Sequence, residues 1–268
     1  MKVLFLDGYN LIYRALSGFR SGEHPVIFNF FRGVRPIIEA HEPDLVYFVL
    51  EGHPAFRASL SEGNYKSNRK SQGESFHKQK AAIINIVKTC MPFVTVRHPE
   101  LECDDVIATL VSKHVKDEDE CTIVSSDSDF IQLLNLFNDN LKLYHPIKKI
   151  FIDPPGYDYV TWKALRGDKT DNIDGIKGVG DKTATKLVTD DSLLRSFLQN
   201  DENRKIFERN INLIRLVDFS NDMSKLEKFE PTTDFEQLKQ IFTNLEFSSI
   251  VKEKTWQKYV DTFRGLQQ

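Results

Sequence analysis

The amino-acid sequence predicts an α/β protein in which a mostly parallel sheet is flanked by helices, followed by a smaller helical unit. Short, continuously apolar runs suit strands that are buried on both faces. Segments with helical period separate these runs, and strands that alternate with helices favour a parallel sheet. At 268 residues the chain can bury a sizeable core and form two unequal domains.

Three strands are predicted first, over residues 3–7, 45–51 and 122–129, because each run is apolar and ends on an acidic residue. A weaker strand over residues 92–96 leads into the acidic sequence ELECDD, and helical period follows in residues 105–111. Ligands of a parallel sheet bind at the edge where the carboxyl ends of its strands meet. We therefore expect the acidic residues to lie together at that edge.

A hairpin or edge pair is predicted over residues 142–153, and Pro154 and Pro155 end it. We place a domain boundary there, with residues 1–156 forming the α/β domain and residues 157–268 a helical domain. The helical prediction rests on stretches such as TWKALRG and KIFERNINLIRLV.

Composition and charge argue against several classes of protein. Apolar residues make up 40% of the chain and charged residues 28%, as in ordinary globular proteins. No apolar stretch approaches the length needed to cross a bilayer, the first residues lack a signal-peptide pattern, and no zipper indicates a dimer, so we expect a cytoplasmic monomer without membrane contact. The 3 cysteines form no CxxC pair, which argues against a disulfide framework or a zinc knuckle. A formal charge of -3 argues against general polyanion binding.

The acidic residues at the strand ends form a candidate metal site. They are Asp7, Glu51, Glu102, Asp104, Asp105, Asp127 and Asp129. Converging carboxylates repel one another unless cations lie between them. Hard oxygen ligands select Mg²⁺ or Mn²⁺, and two such ions roughly 4 Å apart can hold both oxygens of a phosphodiester displacement. Two alternatives stay open: each acid caps a helix or lies in a solvated turn, or the edge is a phospho-acceptor site, which needs fewer carboxylates.

Positive charge is concentrated between residues 57 and 88 of this acidic chain. The basic residues are Arg57, Lys66, Arg69, Lys70, Lys78, Lys80 and Lys88. Tyr65 stands beside Lys66, a pairing that suits stacking on a base while cations neutralise phosphates. The alternative is a solvated charged face. Because the run follows the acidic strand end at Glu51, we favour an arch or lid whose cations stabilise charge on a phosphate.

The stretch GDKTDNIDGIKGVGDKTATKL interleaves acidic residues and glycines. A calcium loop starting at Asp168 would place Ile173 where glycine must make the sharp turn, so that interpretation fails. A dinucleotide fingerprint is equally unsuitable, because the stretch follows no predicted strand.

Taken together, the motifs resemble the 5′ nuclease superfamily of flap endonucleases and 5′ to 3′ exonucleases. The matching stretches are LFLDGYNLIYR, FRASLSEGNYKSNRK, ELECDDVIATL, TIVSSDSDFIQLL and GDKTDNIDGIKGVGDKTATKL, in the family's order over residues 1–190. The motifs are similar to those of the bacteriophage enzymes, including phage ribonuclease H, and to those of the 5′ nuclease domain of bacterial DNA polymerase I. This resemblance implies a PIN-like α/β domain with a helical arch over residues 57–90 and a C-terminal all-α helix-hairpin-helix domain.

The resemblance also implies an activity: structure-specific hydrolysis of DNA at 5′ flaps, nicks and 5′ ends, and of RNA primers on DNA, in replication or repair. Two Mg²⁺ ions are the implied cofactors, with Mn²⁺ as a substitute and K⁺ at the helix-hairpin-helix. A catalytically weak flap-DNA-binding protein of the same fold and a PIN-like ribonuclease stay open as alternatives.

Site roles follow from the resemblance position by position. The implied ligands of the first ion are Glu102 and Asp104, and Asp7 and Asp105 are implied to lie close by. Glu51 stands where the family has Asp. The implied ligands of the second ion are Asp127, Asp129 and Asp171, with Asp168 in support. Lys66 and Arg69 are the implied catalytic residues at the scissile phosphate. Implied DNA contacts are Arg14, Tyr65, Lys70, Gly175, Lys177, Gly178, Gly180, Lys182 and Thr183. Asp174 stands where the family has proline, which adds a charge to the hairpin.

Overall fold

The computed structural model describes residues 1–19, 22–61, 65–68 and 71–266, with the side chains of Ala55, Phe56 and Asn138 left undescribed. Nine strands are found in these ranges: β1 (Lys2–Asp7), β2 (Leu45–Leu50), β3 (Val94–Arg97), β4 (Glu120–Val124), β5 (Leu141–His145), β6 (Ile150–Ile152), β7 (Gly167–Asp168), β8 (Ile173–Asp174) and β9 (Glu227–Phe229).

Helices connect and cover the strands. They are α1 (Gly8–Leu16), α2 (Pro25–His41), α3 (Ala55–Leu60), α4 (Glu74–Cys90), α5 (Cys103–Lys116), α6 (Ile131–Phe137), α7 (Tyr159–Arg166), α8 (Asp181–Val188), α9 (Asp191–Phe197), α10 (Asp201–Ile214), α11 (Phe235–Asn244), α12 (Ser248–Val251) and α13 (Glu253–Arg264).

Seven of the strands form one sheet in the order β6-β5-β4-β1-β2-β3-β9. The five central strands are parallel, and only the two edge strands, β6 and β9, run antiparallel to their neighbours. The mostly parallel sheet predicted from the sequence is thus confirmed, and β1 has β2 and β4 on its two sides. The carboxyl ends of these three strands meet at one edge.

Side chains of β1 alternate between two apolar layers, as a strand buried on both faces requires. Leu4 and Leu6 face helices α1, α2 and α4, whereas Val3 and Phe5 face helices α5 and α6. The predicted strand over residues 122–129 is wrong beyond Val124, because polar side chains there bond the local backbone in place of a neighbouring strand.

Residues after Leu226 return to the first part of the chain. Strand β9 pairs with β3, and helices α11 and α13 bury aromatic residues in the layer that holds α2. Phe242 of α11 lies 5.1 Å from Phe31 of α2 between ring centroids. The expected helical domain over residues 157–268 therefore does not describe this last stretch, which packs with the α/β domain. The apolar faces of its amphipathic helices could be covered by either domain, and the tertiary contacts show that the α/β domain covers them.

Helices α7 to α10 form the separate helical unit, together with the two-residue strand pair β7–β8. In the part of the chain that the structure describes, no helix is both long enough and apolar enough to cross a membrane.

Candidate active site

A cavity of ≈ 540 Å³ opens at the carboxyl ends of β1, β2 and β4, where the sequence predicts the acidic edge. Six of the predicted metal-site residues line it: Asp7, Glu51, Asp104, Asp127, Asp168 and Asp171. Its wall also includes Lys66 of the arch and two tyrosines of α1. The structure therefore brings together acidic residues from both the α/β domain and the helical unit.

Asp7 and Asp104, with the thiol of Cys103, form the first carboxylate group, in which the ligand atoms all lie within 4.8 Å of one another. Asp7 is oriented by the N–H of Asn10 at 3.0 Å and by the Ser125 hydroxyl at 2.7 Å. Burial raises the pKa of Asp7 to about 6, and burial together with repulsion from Asp127 and Asp7 raises the pKa of Asp104 well above its ordinary value. A cation in this group would favour the ionised carboxylates.

Glu51 follows strand β2 and lies in the same cavity as the first carboxylate group. The backbone N–H of Cys103 donates to its Oε2 at 3.2 Å. Burial raises the pKa of Glu51 to about 7, although the nearby Lys66 ammonium lowers it. The longer side chain is thus placed beside Asp7 and Asp104, and its role as an ion ligand stays a prediction.

Asp129, Asp168 and Asp171 form the second carboxylate group, whose ligand atoms also lie within 4.8 Å of one another. Asp129 comes from the 3₁₀ turn after β4, while the other two come from the β7–β8 turn of the helical unit. Burial raises the pKa of Asp129 to about 6, partly offset by Lys163. Asp127 lines the same cavity, and its negative charge contributes to the raised pKa values of Asp7, Asp104 and Asp129.

Lys163 is a site residue that the sequence argument missed. Its ammonium is only 3% exposed and forms ion pairs with Asp129 and, at 2.6 Å, with Asp168. Burial alone would raise the pKa of Asp168, but the Lys163 charge and a hydrogen bond from Thr170 lower it below its ordinary value. The sequence spacing could have indicated this role, because Lys163 lies one helical turn after the buried Val160 of α7 and five residues before Asp168.

Asp105 is not among the residues that line the cavity, and its predicted place near an ion stays a prediction. Its carboxylate is 0% exposed and accepts two hydrogen bonds of 2.6 Å from the Arg57 guanidinium and one of 2.8 Å from the N–H of Val217. Both oxygens are therefore engaged by the protein. Asp105 also completes the capping box that starts α5, together with Glu102.

Glu102 is not among the residues that line the cavity, and its carboxylate binds three residues of the arch. It accepts hydrogen bonds from Arg57 at 2.8 Å and from the Tyr65 hydroxyl at 2.9 Å, and it forms an ion pair with Lys66. Asp171 of the second carboxylate group also lies near Lys66, at 3.8 Å. Lys66 thus lies between Glu102, which caps α5, and Asp171 of the helical unit. The role of Glu102 as an ion ligand stays a prediction.

Tyr65 is half-buried, and its predicted stacking on a base stays a prediction. Its hydroxyl donates to Glu102 and, at 3.4 Å, to Asp171, and the Lys66 ammonium lies 4.9 Å from the centre of its ring. Of the two tyrosines that line the cavity, Tyr13 is the more exposed, at 42%. Tyr13 lies one helical turn after Tyr9, a spacing that could have indicated it. Arg69 and Lys70 lie outside the described residues.

Arg14 lies at a different place from the acidic cavity. It lines a second cavity of ≈ 240 Å³ with Phe19, Asn29 and Arg32. Burial lowers the pKa of Arg14, yet the guanidinium stays charged near neutral pH. Its predicted contact with DNA stays a prediction, and it is not part of the carboxylate site.

The predicted hairpin lies between β8 and α8 and presents polar groups to solvent. Lys177, Lys182 and Thr183 are exposed, and a side chain at Gly178 or Gly180 would meet nothing within 4 Å. Gly178 has φ +81, which favours glycine. The exposed N–H groups that begin α8 suit a phosphate.

Gly175 is explained by backbone packing. A Cβ there would lie 2.0 Å from the carbonyl oxygen of Arg166, so the residue permits the close crossing of α7 and the hairpin. Its predicted contact with DNA is therefore not needed to account for a glycine at this position.

Two family models match the chain in sequence. Residues 2–157 match the model described as 5′-3′ exonuclease, N-terminal resolvase-like domain, and residues 155–240 match 5′-3′ exonuclease, C-terminal SAM fold. The chain belongs to the 5′-3′ exonuclease family. Within this 5′-3′ exonuclease chain, the two matched regions each contribute acids to the cavity described above.

Curated relatives of this 5′-3′ exonuclease chain include thermostable DNA polymerase I of Thermus aquaticus and a 5′-3′ exonuclease of Aquifex aeolicus. The first is 29% identical over an alignment of 279 positions that covers 94% of this chain and 33% of the polymerase. The second is 28% identical over 283 residues, covering 94% of this chain and 95% of the relative. The chain thus spans about a third of the length of the polymerase relatives it matches.

Solved structures with a similar fold include the flap endonuclease of bacteriophage T5 in a complex with DNA and metal ions, and human GEN1 with Holliday junction DNA. The T5 protein has a TM-score of 0.67 and 19% identity, covering 81% of this chain and 89% of its own. Human GEN1 has a TM-score of 0.58 and 15% identity, and the match covers 98% of this chain and 71% of the GEN1 chain. At these identities the similarity establishes the fold of the 5′-3′ exonuclease chain and no more.

Proposed function

We propose that the chain is a Mg²⁺-dependent, structure-specific 5′ nuclease that hydrolyses phosphodiester bonds of DNA at 5′ flaps, nicks and 5′ ends in replication or repair. The observation that carries this proposal is the pair of carboxylate groups that open into one cavity beside Lys66. Membership of the 5′-3′ exonuclease family supports it, as does the DNA in the T5 and GEN1 complexes.

The donor set fits divalent cations, because buried oxygen ligands with raised pKa values need positive charge to ionise. Asp7 and Asp104, with Glu51 beside them, would hold one ion, and the second carboxylate group with Asp127 would hold another. Two divalent ions bound there would activate a water molecule and neutralise charge on the phosphate.

The chain's own residues supply orientation and charge. Lys66, which pairs with Glu102 and lies near Asp171, would contact a phosphate that enters the cavity. Tyr13, whose exposed side chain lines the same cavity, would offer its ring to a nucleobase. The exposed hairpin with Lys177 and Lys182 would hold duplex phosphates at a set distance from the cavity.

Finer assignments rest on the resemblance of the motifs. They are activity on RNA primers paired with DNA, substitution of Mg²⁺ by Mn²⁺, a K⁺ ion at the hairpin, roles for Arg69 and Lys70 at the phosphate, a cytoplasmic site of action and a monomeric state.

The test is cleavage of a 5′-labelled DNA flap with Mg²⁺ and with EDTA. We expect short 5′ products that EDTA abolishes, and a single-turnover rate reduced by about 100-fold or more in Asp104→Asn and Asp127→Asn. The control is Asp191→Asn, which removes an exposed carboxylate of α9. Cleavage that survives in both site variants at the control's rate contradicts the proposal.

A substrate panel separates the alternatives. A PIN-like ribonuclease would cleave single-stranded RNA in preference to a DNA flap. A catalytically weak binding protein would bind the flap without cleaving it, and Glu51→Asp would then raise the cleavage rate by restoring the shorter carboxylate.

A further inference from the structure

Lys163 stands apart from the other lysines of the described chain. It is the only buried one there, and its ammonium lies inside the second carboxylate group, bonded to one oxygen of Asp129 and one of Asp168. Asp171, the third member, lies near Lys66 of the arch instead. One cation of this group is therefore built into helix α7, and the other comes from the arch.

The charge of the second carboxylate group explains why a buried lysine is useful there. Three carboxylates whose oxygens lie within 4.8 Å of one another repel strongly when ionised. Lys163 offsets one of the negative charges of these three acids. Without Lys163 the net negative charge of the group would be larger by one, so the group would be less stable when empty and would attract cations more strongly.

Lys163 also restricts the orientation of its partners. Asp168 receives the ammonium on Oδ2 at 2.6 Å and the backbone N–H of Thr170 on Oδ1 at 2.8 Å. Its carboxylate plane is thus held from both sides. Because α7 is anchored by Val160 and Ala164 in the core of the helical unit, the ammonium is held by packed structure.

We propose that Lys163 is a positioning residue for the second divalent ion: a built-in counter-ion that keeps the empty group folded and weakens the binding of that ion. The proposal rests on the metal-dependent function proposed above. A purely structural ion pair is the competing explanation, and it predicts that ion affinity does not rise when the lysine is removed.

The experiment measures ion binding and stability in Lys163→Met. Calorimetric titration with Ca²⁺ at pH 8 should show an affinity for the second ion at least about tenfold higher than in the unsubstituted protein. The melting temperature in EDTA should fall, and saturating Ca²⁺ should restore most of the loss. Lys163→Arg keeps the charge and should stay within about threefold of the original affinity.

Lys169→Met is the matched control, since it removes an exposed lysine from the loop between Asp168 and Asp171. We expect a change in ion affinity below about twofold for this control. Equal losses of melting temperature with and without Ca²⁺ in Lys163→Met, at unchanged ion affinity, would overturn the proposal.

A charge cycle keeps the test decisive if Lys163→Met does not fold. Asp168→Asn alone removes one negative charge from the group and should lower ion affinity at least about tenfold. The double variant Lys163→Met/Asp168→Asn restores the original net charge and should recover affinity to within about threefold of the original protein. A double variant that binds as weakly as Asp168→Asn alone refutes the counter-ion role.

Cleavage of the labelled flap by the unsubstituted protein is measured beside these titrations. If that protein cleaves but Lys163→Met leaves ion affinity unchanged, the inference fails and the proposed function stands. If the affinity rises as expected but the unsubstituted protein cleaves no flap, the proposed function fails and the counter-ion role stands.

Discussion

Removal of the Arg57 side chain should be among the most destabilising single changes to this protein. Arg57 is 3% exposed and donates to Asp105, Glu102 and the carbonyl oxygens of Leu213 and Arg215 at distances from 2.6 to 3.2 Å. It therefore joins the arch helix α3, the start of α5 and the end of α10. Arg57→Met would leave two buried carboxylates without this cation.

The expected magnitude follows from the burial of the ion pairs. Removing one partner of a buried pair costs about 3–5 kcal/mol, a large share of the roughly 5–15 kcal/mol that stabilises a typical native protein. For a chain of this size each kcal/mol lowers the melting temperature by about 2 °C or more, so we expect Tm to fall by at least about 6 °C.

The assay is thermal unfolding followed by circular dichroism in EDTA. The matched control is Arg35→Met, which breaks a surface pair of 2.7 Å with Glu39 one turn away and should cost less than about 1 kcal/mol. Adding Asp105→Asn to Arg57→Met should recover part of the loss, because it removes an unpaired buried charge. A Tm for Arg57→Met within about 2 °C of the control, the shift expected of roughly 1 kcal/mol, would refute the reasoning.

Three further predictions concern the carboxylates and the hairpin. Glu51 and Asp129 have pKa values raised to about 7 and about 6, so the stability they contribute is present below their ordinary pKa values and is lost as pH rises through 6 to 7. Melting in EDTA should thus occur at lower temperature at pH 8 than at pH 5, and excess Ca²⁺ should remove this trend. Asp104→Asn should raise Tm in EDTA while abolishing cleavage, because burial and its acidic neighbours raise the pKa of Asp104; a lower Tm would contradict this. Gly175→Ala should lower Tm and weaken flap binding measured by fluorescence anisotropy, because its Cβ would lie 2.0 Å from a carbonyl oxygen, whereas Gly156→Ala, in open space, should do neither.

Much of the sheet could be predicted because its signals are local. An apolar run that ends on an acidic residue indicates both a buried strand and the position of a carboxylate at its end. Asp7, Glu51 and Asp127 were placed at one edge by this argument, and all three line the cavity. The return of residues 227–266 to the first domain could not be predicted, since an amphipathic helix does not indicate which apolar surface covers it.

The roles of individual acids depended on partners far away in the chain. Asp104 and Asp105 are neighbours in sequence. Of these two, Arg57, which lies 48 residues before Asp105, donates hydrogen bonds only to Asp105. Tyr65 lies beside Lys66 in sequence, and its hydroxyl donates to Glu102, a contact across 37 residues that the local pattern does not indicate.

The α/β class, the family and the convergence of acids at one edge follow from the amino-acid sequence alone, because hydrophobic period, strand ends and motif order are properties of short segments. Which carboxylates open into the cavity and which are neutralised by the protein depends on tertiary contacts. Two buried cations, Arg57 and Lys163, reach acids of other elements, and a buried carboxylate left without its cation costs about 3–5 kcal/mol.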